Sequence, residues 1–196
     1  VTGVQTCALP ISKHFQHPDN TLPKVFISEL LVEEFSTKVQ AILRKMADSV
    51  DEKSVQQLDF LYSGTHWNVS YDEYQLLLKE SEYAAWFAAW GYRANHFTVS
   101  INHLENYSDI EEVNEVVKKG GFRLNTSGGE IKGNPEVKLE QSSTMADQCE
   151  VSFSDQKVNI PSCFYEFAKR YPLESGELYS GFVAASADKI FESTNN

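Results

Sequence analysis

The chain has 196 residues, of which 41% are hydrophobic and 23% charged, proportions that are ordinary for a globular protein. Its formal net charge of −11 at pH 7 argues against nucleic acid as a partner, because binding to phosphates requires a basic surface. No apolar run approaches the ~20 residues of a membrane span, so we expect a soluble protein with no membrane partner. The 3 cysteines fit neither a zinc knuckle nor a disulfide framework and indicate a reducing compartment, which we expect to be the cytoplasm.

The first residues differ in character from the rest of the chain. Residues 1–11 resemble the translation of a common sequencing adapter, and they lack the basic start and continuous apolar core of a signal peptide. We therefore expect residues 1–12 to be a non-native prefix, and we expect the natural chain to begin upstream of it.

Residues 13–92 are expected to hold the remainder of an N-terminal module and a helical connector. The polar stretch 13–21 predicts a loop, and the β-branched and aromatic run Leu22–Ser28 predicts a strand. Helical spacing of apolar residues follows over Glu29–Ala47. In the alternative that we leave open, Ser36 caps a helix that begins later.

Two further helices are predicted before the pattern changes. Ser70 is placed to cap a helix that begins at Tyr71, with acidic residues in its first turn. The aromatic and alanine-rich segment Glu82–Trp90 predicts a helix packed on a core, with Gly91 as its C-cap.

Residues 93–174 show a different organisation, in which a strand, a helix and further strands follow one another. The segment Asn95–Asn102 alternates, with one face expected in the core and His96 on the other. The core-facing set of this strand is Phe97, Val99 and Ile101. Asp109–Lys119 predicts an amphipathic helix ended by a glycine pair. Its inward residues are expected to be Ile110, Val113, Val116 and Val117.

The remaining strands of this region are shorter and interrupted by turns. The predicted strand pieces are Phe122–Leu124, Lys138–Ser143, Glu150–Phe153 and Val158–Lys169. The fold class expected is α+β, with a βαβββ module that forms a cupped mixed sheet and is preceded by a helical segment. We expect residues 175–196 to close the site as a C-terminal segment.

A candidate metal site follows from strand parity. His96 on the first strand and Glu166 on the last belong to the polar-facing parity of their strands, so both point into the predicted cup. A histidine and a carboxylate are two members of the 2-His-1-carboxylate triad that binds Fe(II) and leaves positions open for substrate and O₂. The residues alone leave the alternative that Glu166 is paired with Lys169 or Arg170 and that His96 is an ordinary polar strand residue.

Several blocks of the sequence resemble one family. Tyr92–Asn102 and Pro161–Arg170 are similar to the vicinal oxygen chelate superfamily and, more narrowly, to 2-oxoadipate dioxygenase/decarboxylase. Three further blocks, Leu22–Leu30, Leu139–Ala146 and Phe182–Ser193, occur in the same order. Ordered blocks are more specific than one short motif.

The resemblance implies a chemistry and a set of partners. It implies an Fe(II)-dependent enzyme whose small-molecule 2-oxo acid substrate, 2-oxoadipate, reacts with O₂ to give 2-hydroxyglutarate and CO₂ in lysine breakdown. It also implies that His96 and Glu166 are metal ligands and that Ser186 and Gln141 contact the substrate. The family's first histidine and a substrate-binding arginine have no counterpart here, since His14 and His17 lie in the predicted loop.

Two other hypotheses stay open at this point. The chain could belong to a non-catalytic protein that uses the same cup to bind a small acid. It could also belong to another metal-dependent enzyme of the superfamily, such as an isomerase, lyase or extradiol dioxygenase.

Overall fold

The structure is a computed structural model of the chain, and it describes residues 11–19 and 22–181. These residues form two compact units. The first comprises the described residues up to Arg93 together with Glu150–Ile160, and the second comprises Ala94–Cys149 and the described residues from Pro161 onward. None of the described helices is both long and apolar enough to cross a membrane.

The first unit begins with an antiparallel hairpin. Strand β1 (Ile11–Phe15) pairs with β2 (Val25–Glu29), and the side chains described in both strands are exposed. The strand predicted at Leu22–Ser28 is therefore confirmed, but it begins at Val25 and ends at Glu29. The predicted loop over 13–21 is wrong in its first part, because Lys13 to Phe15 belong to β1.

The helices of this unit follow their capping residues. A 3₁₀ turn at Val32–Glu34 precedes α1 (Thr37–Asp48), so one continuous helix from Glu29 is wrong and the Ser36 cap is correct. The Ser36 backbone N–H and hydroxyl both donate to Glu80, which holds the start of α1 in place. The short helix α2 (Glu52–Val55) and a 3₁₀ turn at Phe60–Tyr62 lead to the next long helix.

The predicted caps of the next two helices are confirmed. Helix α3 (Tyr71–Glu80) begins with a capping box in which the Ser70 hydroxyl and the Glu73 carboxylate each accept a backbone N–H from the other residue. Helix α4 (Glu82–Trp90) ends at Gly91, whose φ of 68° suits glycine. The buried alanines of α4 let it pack closely in the core of the unit.

A second hairpin completes this core. Strands β6 (Gln148–Ser152) and β7 (Lys157–Pro161) form their own two-stranded sheet, and the core includes Val151, Phe153 and Ile160. The sequence predicts a single strand region over Val158–Lys169, which is wrong. The run divides into β7 and a separate strand, β8 (Phe164–Arg170), which lies in a different sheet.

The second unit is the βαβββ module, interrupted by the Glu150–Ile160 insertion. Its four-stranded sheet has the order β3-β8-β5-β4, formed by β3 (His96–Ser100), β8, β5 (Leu139–Ser143) and β4 (Lys132–Asn134). Strands β3 and β8 run parallel, whereas β5 is antiparallel to both of its neighbours. The predicted strand Phe122–Leu124 is wrong, since only a bridge between Leu124 and Thr144 forms there.

Helix α5 (Ile110–Lys119) covers one face of this sheet. Ile110 and Val113 pack with Ile101 in a small core, and Phe167 and Val117 lie against it. The prediction that Val116 points inward is wrong, because it is 43% exposed. The opposite face of the sheet carries the candidate site.

Candidate metal centre

His96 and Glu166 lie on the same face of the sheet, on neighbouring parallel strands. Across β3 and β8, His96 is in register with Phe164 and Thr98 with Glu166. Since residues two apart on a strand share a face, this register places His96 and Glu166 diagonally across one strand pair. The parity predicted from the sequence is therefore confirmed.

Glu166 is a buried carboxylate, with 4% of its surface exposed. The Gln141 amide nitrogen donates to its Oε1 at 2.8 Å, and the Thr98 hydroxyl donates to the same oxygen at 3.1 Å. Both hydrogen bonds that the described residues give to this carboxylate thus end on Oε1. Oε2 receives none from that part of the chain, so one oxygen is held and the other is left for a ligand.

Neither of the two basic residues next to Glu166 forms a hydrogen bond with it, although the Glu166 charge acts on Arg170 and opposes the lowering of the Arg170 pKa by burial. Lys169 pairs with Asp109 and lies over the Tyr171 ring, and Arg170 donates to the carbonyls of Tyr179 and Gly181. Among the described residues, no lysine or arginine forms an ion pair with Glu166. The alternative ion pair of Glu166 with Lys169 or Arg170 is therefore not formed in the described part of the chain, where both basic side chains contact other groups. Moving a carboxylate from water into the protein without a nearby cation costs free energy, on the order of several kcal/mol.

His96 lies at the start of β3, accessible to solvent on one side. Its ring stacks on Phe164 with 4.8 Å between the centroids, and its Nδ1 is 3.1 Å from the Oδ1 of Asn95. The surrounding protein lowers the pKa of His96 by desolvation, and the Glu166 carboxylate acts in the opposite direction. The net lowering favours the neutral imidazole, which is the form that binds metals.

Gln141 lies on the site face, buried rather than solvent-facing. It is in register with Ala168 of β8 and with Lys132 of β4, so the three residues share the face of Glu166. Lys132 is also buried and donates to the Asn125 carbonyl at 2.8 Å. Lysine is rarely buried, so the sequence alone gives no signal for this residue. The predicted substrate contact Ser186 lies outside the described residues.

The other histidines have local partners. His66 Nε2 is 2.7 Å from the Ser63 hydroxyl, and its ring packs on Phe60 and Tyr92. The same hydroxyl also lies 2.8 Å from the Phe60 carbonyl, which can accept its proton. His103 is exposed, and its Nδ1 is 2.9 Å from the Ser100 hydroxyl.

The donor set fits a metal ion in part. A buried carboxylate with one untied oxygen and a neutral imidazole on the same sheet face are ligands that suit a divalent first-row metal. Within the described residues, however, no group of three or more histidine, cysteine, aspartate or glutamate side chains is placed to hold a metal ion. The described part of the chain therefore contributes two candidate ligands.

The fold and the site define a class. The class is an α+β fold in which a βαβββ module forms a mixed sheet with one polar face. A crystal structure of a Ralstonia eutropha protein of the glyoxalase superfamily matches with a TM-score of 0.68 and 22% identity, over 88% of this chain and 60% of that one. At this identity the likeness shows the fold.

The family follows from closer relatives. The family model of 2-oxoadipate dioxygenase/decarboxylase matches residues 3–177, and the chain belongs to this family. Proteins named 2-oxoadipate dioxygenase/decarboxylase from Arabidopsis thaliana and Oryza sativa are 37% and 39% identical to it. The aligned regions cover 88% and 89% of this chain, and 51% and 52% of those proteins. The chain thus spans about half the length of the curated relatives it matches.

Two solved structures are similar over most of the chain. Hydroxyglutarate synthase from Oryza sativa, crystallised with 2-oxoadipate, has a TM-score of 0.80 and 33% identity, over 96% of this chain and 72% of that one. A Shewanella frigidimarina protein proposed to be a hydrolase has a TM-score of 0.87 and 62% identity, over 89% and 69%. Membership of a dioxygenase family suggests that the protein uses a metal cofactor.

Proposed function

We propose that this chain is the metal-binding part of an Fe(II)-dependent dioxygenase that converts 2-oxoadipate and O₂ to 2-hydroxyglutarate and CO₂, a step of lysine breakdown. The observation that carries the proposal is the buried Glu166 carboxylate, which has no ion-pair partner among the described residues and shares a sheet face with His96. In a chain of this family, a metal ion is the cation that such a carboxylate requires.

In this proposal His96 and Glu166 are two protein ligands of the ion. Glu166 supplies negative charge through Oε2, because Oε1 already accepts two hydrogen bonds. His96 supplies a neutral nitrogen, consistent with its lowered pKa. Bound Fe(II) would supply the place where the 2-oxo acid and O₂ meet.

The substrate contacts are also proposals. The amide of Gln141 keeps hydrogen-bonding capacity beyond its bond to Glu166, so it can contact the oxo-acid end of the substrate. The Ser186 hydroxyl is proposed to donate to the distal carboxylate. Buried Lys132, on the face of Gln141, adds positive charge that favours an anionic ligand. The cytoplasmic location expected from the cysteines remains a prediction.

The alternatives predict different behaviour. A non-catalytic small-acid-binding protein would bind 2-oxoadipate without consuming O₂, and another metal-dependent enzyme of the superfamily would bind a divalent ion without requiring O₂.

The test is O₂ uptake with 2-oxoadipate under added Fe(II), with 2-hydroxyglutarate and CO₂ measured as products. It is made on this 196-residue chain and on the full-length product of its gene. We expect weak turnover from the 196-residue chain, in which the described residues contribute two candidate ligands, and O₂ uptake with equal CO₂ release from the full-length product. A full-length product that binds iron yet consumes no O₂ with any 2-oxo acid would refute the dioxygenase.

A further inference from the structure

The two candidate ligands are each held by neutral side chains through one atom. Asn95 lies against Nδ1 of His96, and Thr98 and Gln141 lie against Oε1 of Glu166. All three are uncharged, so they orient the ligands without competing for the charge of a metal ion.

The contact between Asn95 and His96 carries information about the imidazole proton. The Asn95 atom next to Nδ1 is its amide oxygen, which accepts and does not donate. A hydrogen bond at 3.1 Å then requires the proton to be on Nδ1, which leaves the lone pair on Nε2. The Phe164 ring stacked at 4.8 Å restrains the imidazole plane.

The orientation of the Asn95 amide leaves its nitrogen without a hydrogen bond. Its Nδ2 is buried and is the one buried side-chain nitrogen or oxygen atom without a hydrogen-bond partner in the part of the chain that the structure describes. Buried donors are normally satisfied, and an exception requires an explanation. Here the amide oxygen faces Nδ1 of His96, and this orientation accounts for the unpaired Nδ2.

The second contact point is Thr98, which is paired in register with Glu166. Its hydroxyl and the Gln141 amide meet on Oε1, so rotation of the carboxylate would break both hydrogen bonds. The two hydrogen bonds thereby fix the carboxylate plane, and Oε2 points away from Thr98 and Gln141.

We infer that Asn95, Thr98 and Gln141 are positioning residues that present Nε2 of His96 and Oε2 of Glu166 as a pre-oriented pair of metal ligands. This inference rests on the proposed function for the identity of the two ligands. The orientation itself is a property of the metal-free chain. It can therefore be measured without metal.

The direct test is the tautomer of His96 by long-range ¹H–¹⁵N correlation on the metal-free chain, at a pH where the imidazole is neutral. With 5 histidines in the chain, the signal is assigned from its loss in His96→Gln. We expect the Nδ1–H tautomer in the native chain. Asn95→Asp keeps an acceptor oxygen and should retain this tautomer, whereas Asn95→Leu should show a mixture of the two tautomers. A native Nε2–H tautomer, or no difference between the two variants, would overturn the inference.

The Glu166 part is tested by anaerobic Fe(II) titration with a matched pair at Thr98. Thr98→Val removes the hydroxyl at nearly constant shape and is expected to weaken Fe(II) binding about 10-fold, as outer-shell partners of metal ligands do. Thr98→Ser keeps the hydroxyl and is expected to restore native affinity. Equal weakening in both variants would refute the positioning role.

The two levels of failure are distinguishable. If His96→Gln binds Fe(II) as well as the native chain, the ligand assignment of the proposed function fails, whatever the tautomer. If the ligands are confirmed but His96 carries its proton on Nε2, the proposed function stands and this inference fails.

Discussion

Thr98 and Glu166 are directly opposite each other on parallel strands, and the threonine hydroxyl donates to the glutamate at 3.1 Å. This relationship places the carboxylate on the face of Thr98, and together with the hydrogen bond from Gln141 it orients the carboxylate plane. His96 lies two residues before Thr98 on the same face, so the two candidate ligands belong to one strand pair.

The first prediction concerns the effect of the buried Glu166 carboxylate on the free energy of unfolding of the metal-free chain. Glu166→Gln removes a buried charge and keeps an oxygen that can accept from Thr98 and Gln141. We expect the free energy of unfolding to rise by about 1 kcal/mol, as when a functional site is relieved of a destabilising group. Urea denaturation measures it, and His96→Gln at the accessible ligand serves as the control, with a change within about 0.5 kcal/mol. A less stable Glu166→Gln chain would contradict the view that this buried carboxylate, which lacks an ion pair among the described residues, destabilises the metal-free fold.

A second prediction addresses the contact between α5 and β5. The Ser142 hydroxyl, fully buried, donates to the Asn114 amide oxygen at 2.6 Å. Ser142→Ala leaves that buried oxygen without this donor and is expected to cost about 1–3 kcal/mol of unfolding free energy. Ser49→Ala is the control, since its hydroxyl bonds the Lys45 carbonyl in an exposed position. Equal effects of the two substitutions in urea denaturation would show that burial of the bond is unimportant.

The third prediction uses two glycines that both have positive φ. A Cβ on Gly91 would lie 2.2 Å from the Gly64 carbonyl oxygen, whereas a Cβ on Gly64 would meet nothing within 4 Å. Gly64→Ala is expected to cost only the left-handed strain of about 1–2 kcal/mol. Gly91→Ala should cost at least about 1–3 kcal/mol more, because the backbone must move. Thermal unfolding compares the two, and similar melting temperatures would contradict the close approach.

A fourth prediction concerns acid stability. Burial tends to raise the pKa of Glu73, but hydrogen bonds from Lys45 and the Ser70 N–H lower it, and the net pKa lies below its usual value. Because the folded pKa is below the unfolded one, the carboxylate stabilises the fold above the unfolded value of about 4.3, and the contribution is lost as the pH falls through the folded pKa.

Glu73→Gln should therefore reduce the loss of stability between about pH 5 and the folded pKa of Glu73. The measurement is the urea midpoint as a function of pH. Asp72→Asn, in the same helical turn and exposed, is the control and should leave the slope closer to native. An unchanged slope in Glu73→Gln would show that Glu73 does not contribute to acid stability.

The elements with a local signal were predictable from the sequence. Ser70 and Gly91 mark helix ends through their own side-chain and backbone chemistry, and they hold in the structure. The alternation around Glu166 predicted its face for the same reason, since the side-chain period of a strand is two.

The errors come from non-local packing. Phe97 and Tyr165 alternate like core residues, yet they are 63% and 53% exposed. Helix α5 covers the sheet near Ile101 and Phe167, beyond these two aromatic side chains. Likewise, nothing local shows that β7 and β8, only two residues apart, join different sheets.

The surroundings of the site were only partly visible in the sequence. Thr98 shares the parity of His96 and could have been identified from that pattern, but its pairing with Glu166 depends on the register of two strands 68 residues apart in the chain. Asn95 gives no periodic signal. Its role appears only when the atoms next to Nδ1 are known.

The central claim is that His96 and Glu166 bind the same metal ion. The most direct measurement is anaerobic Fe(II) titration of the ¹⁵N-labelled chain, followed by paramagnetic shifts and broadening of backbone amide signals. The account predicts that the first signals affected belong to β3 and β8 around His96, Thr98 and Glu166. It predicts that the effect disappears in both His96→Gln and Glu166→Gln. Effects that centre elsewhere, such as on the exposed acidic start of α5, or that persist in both variants, would contradict it.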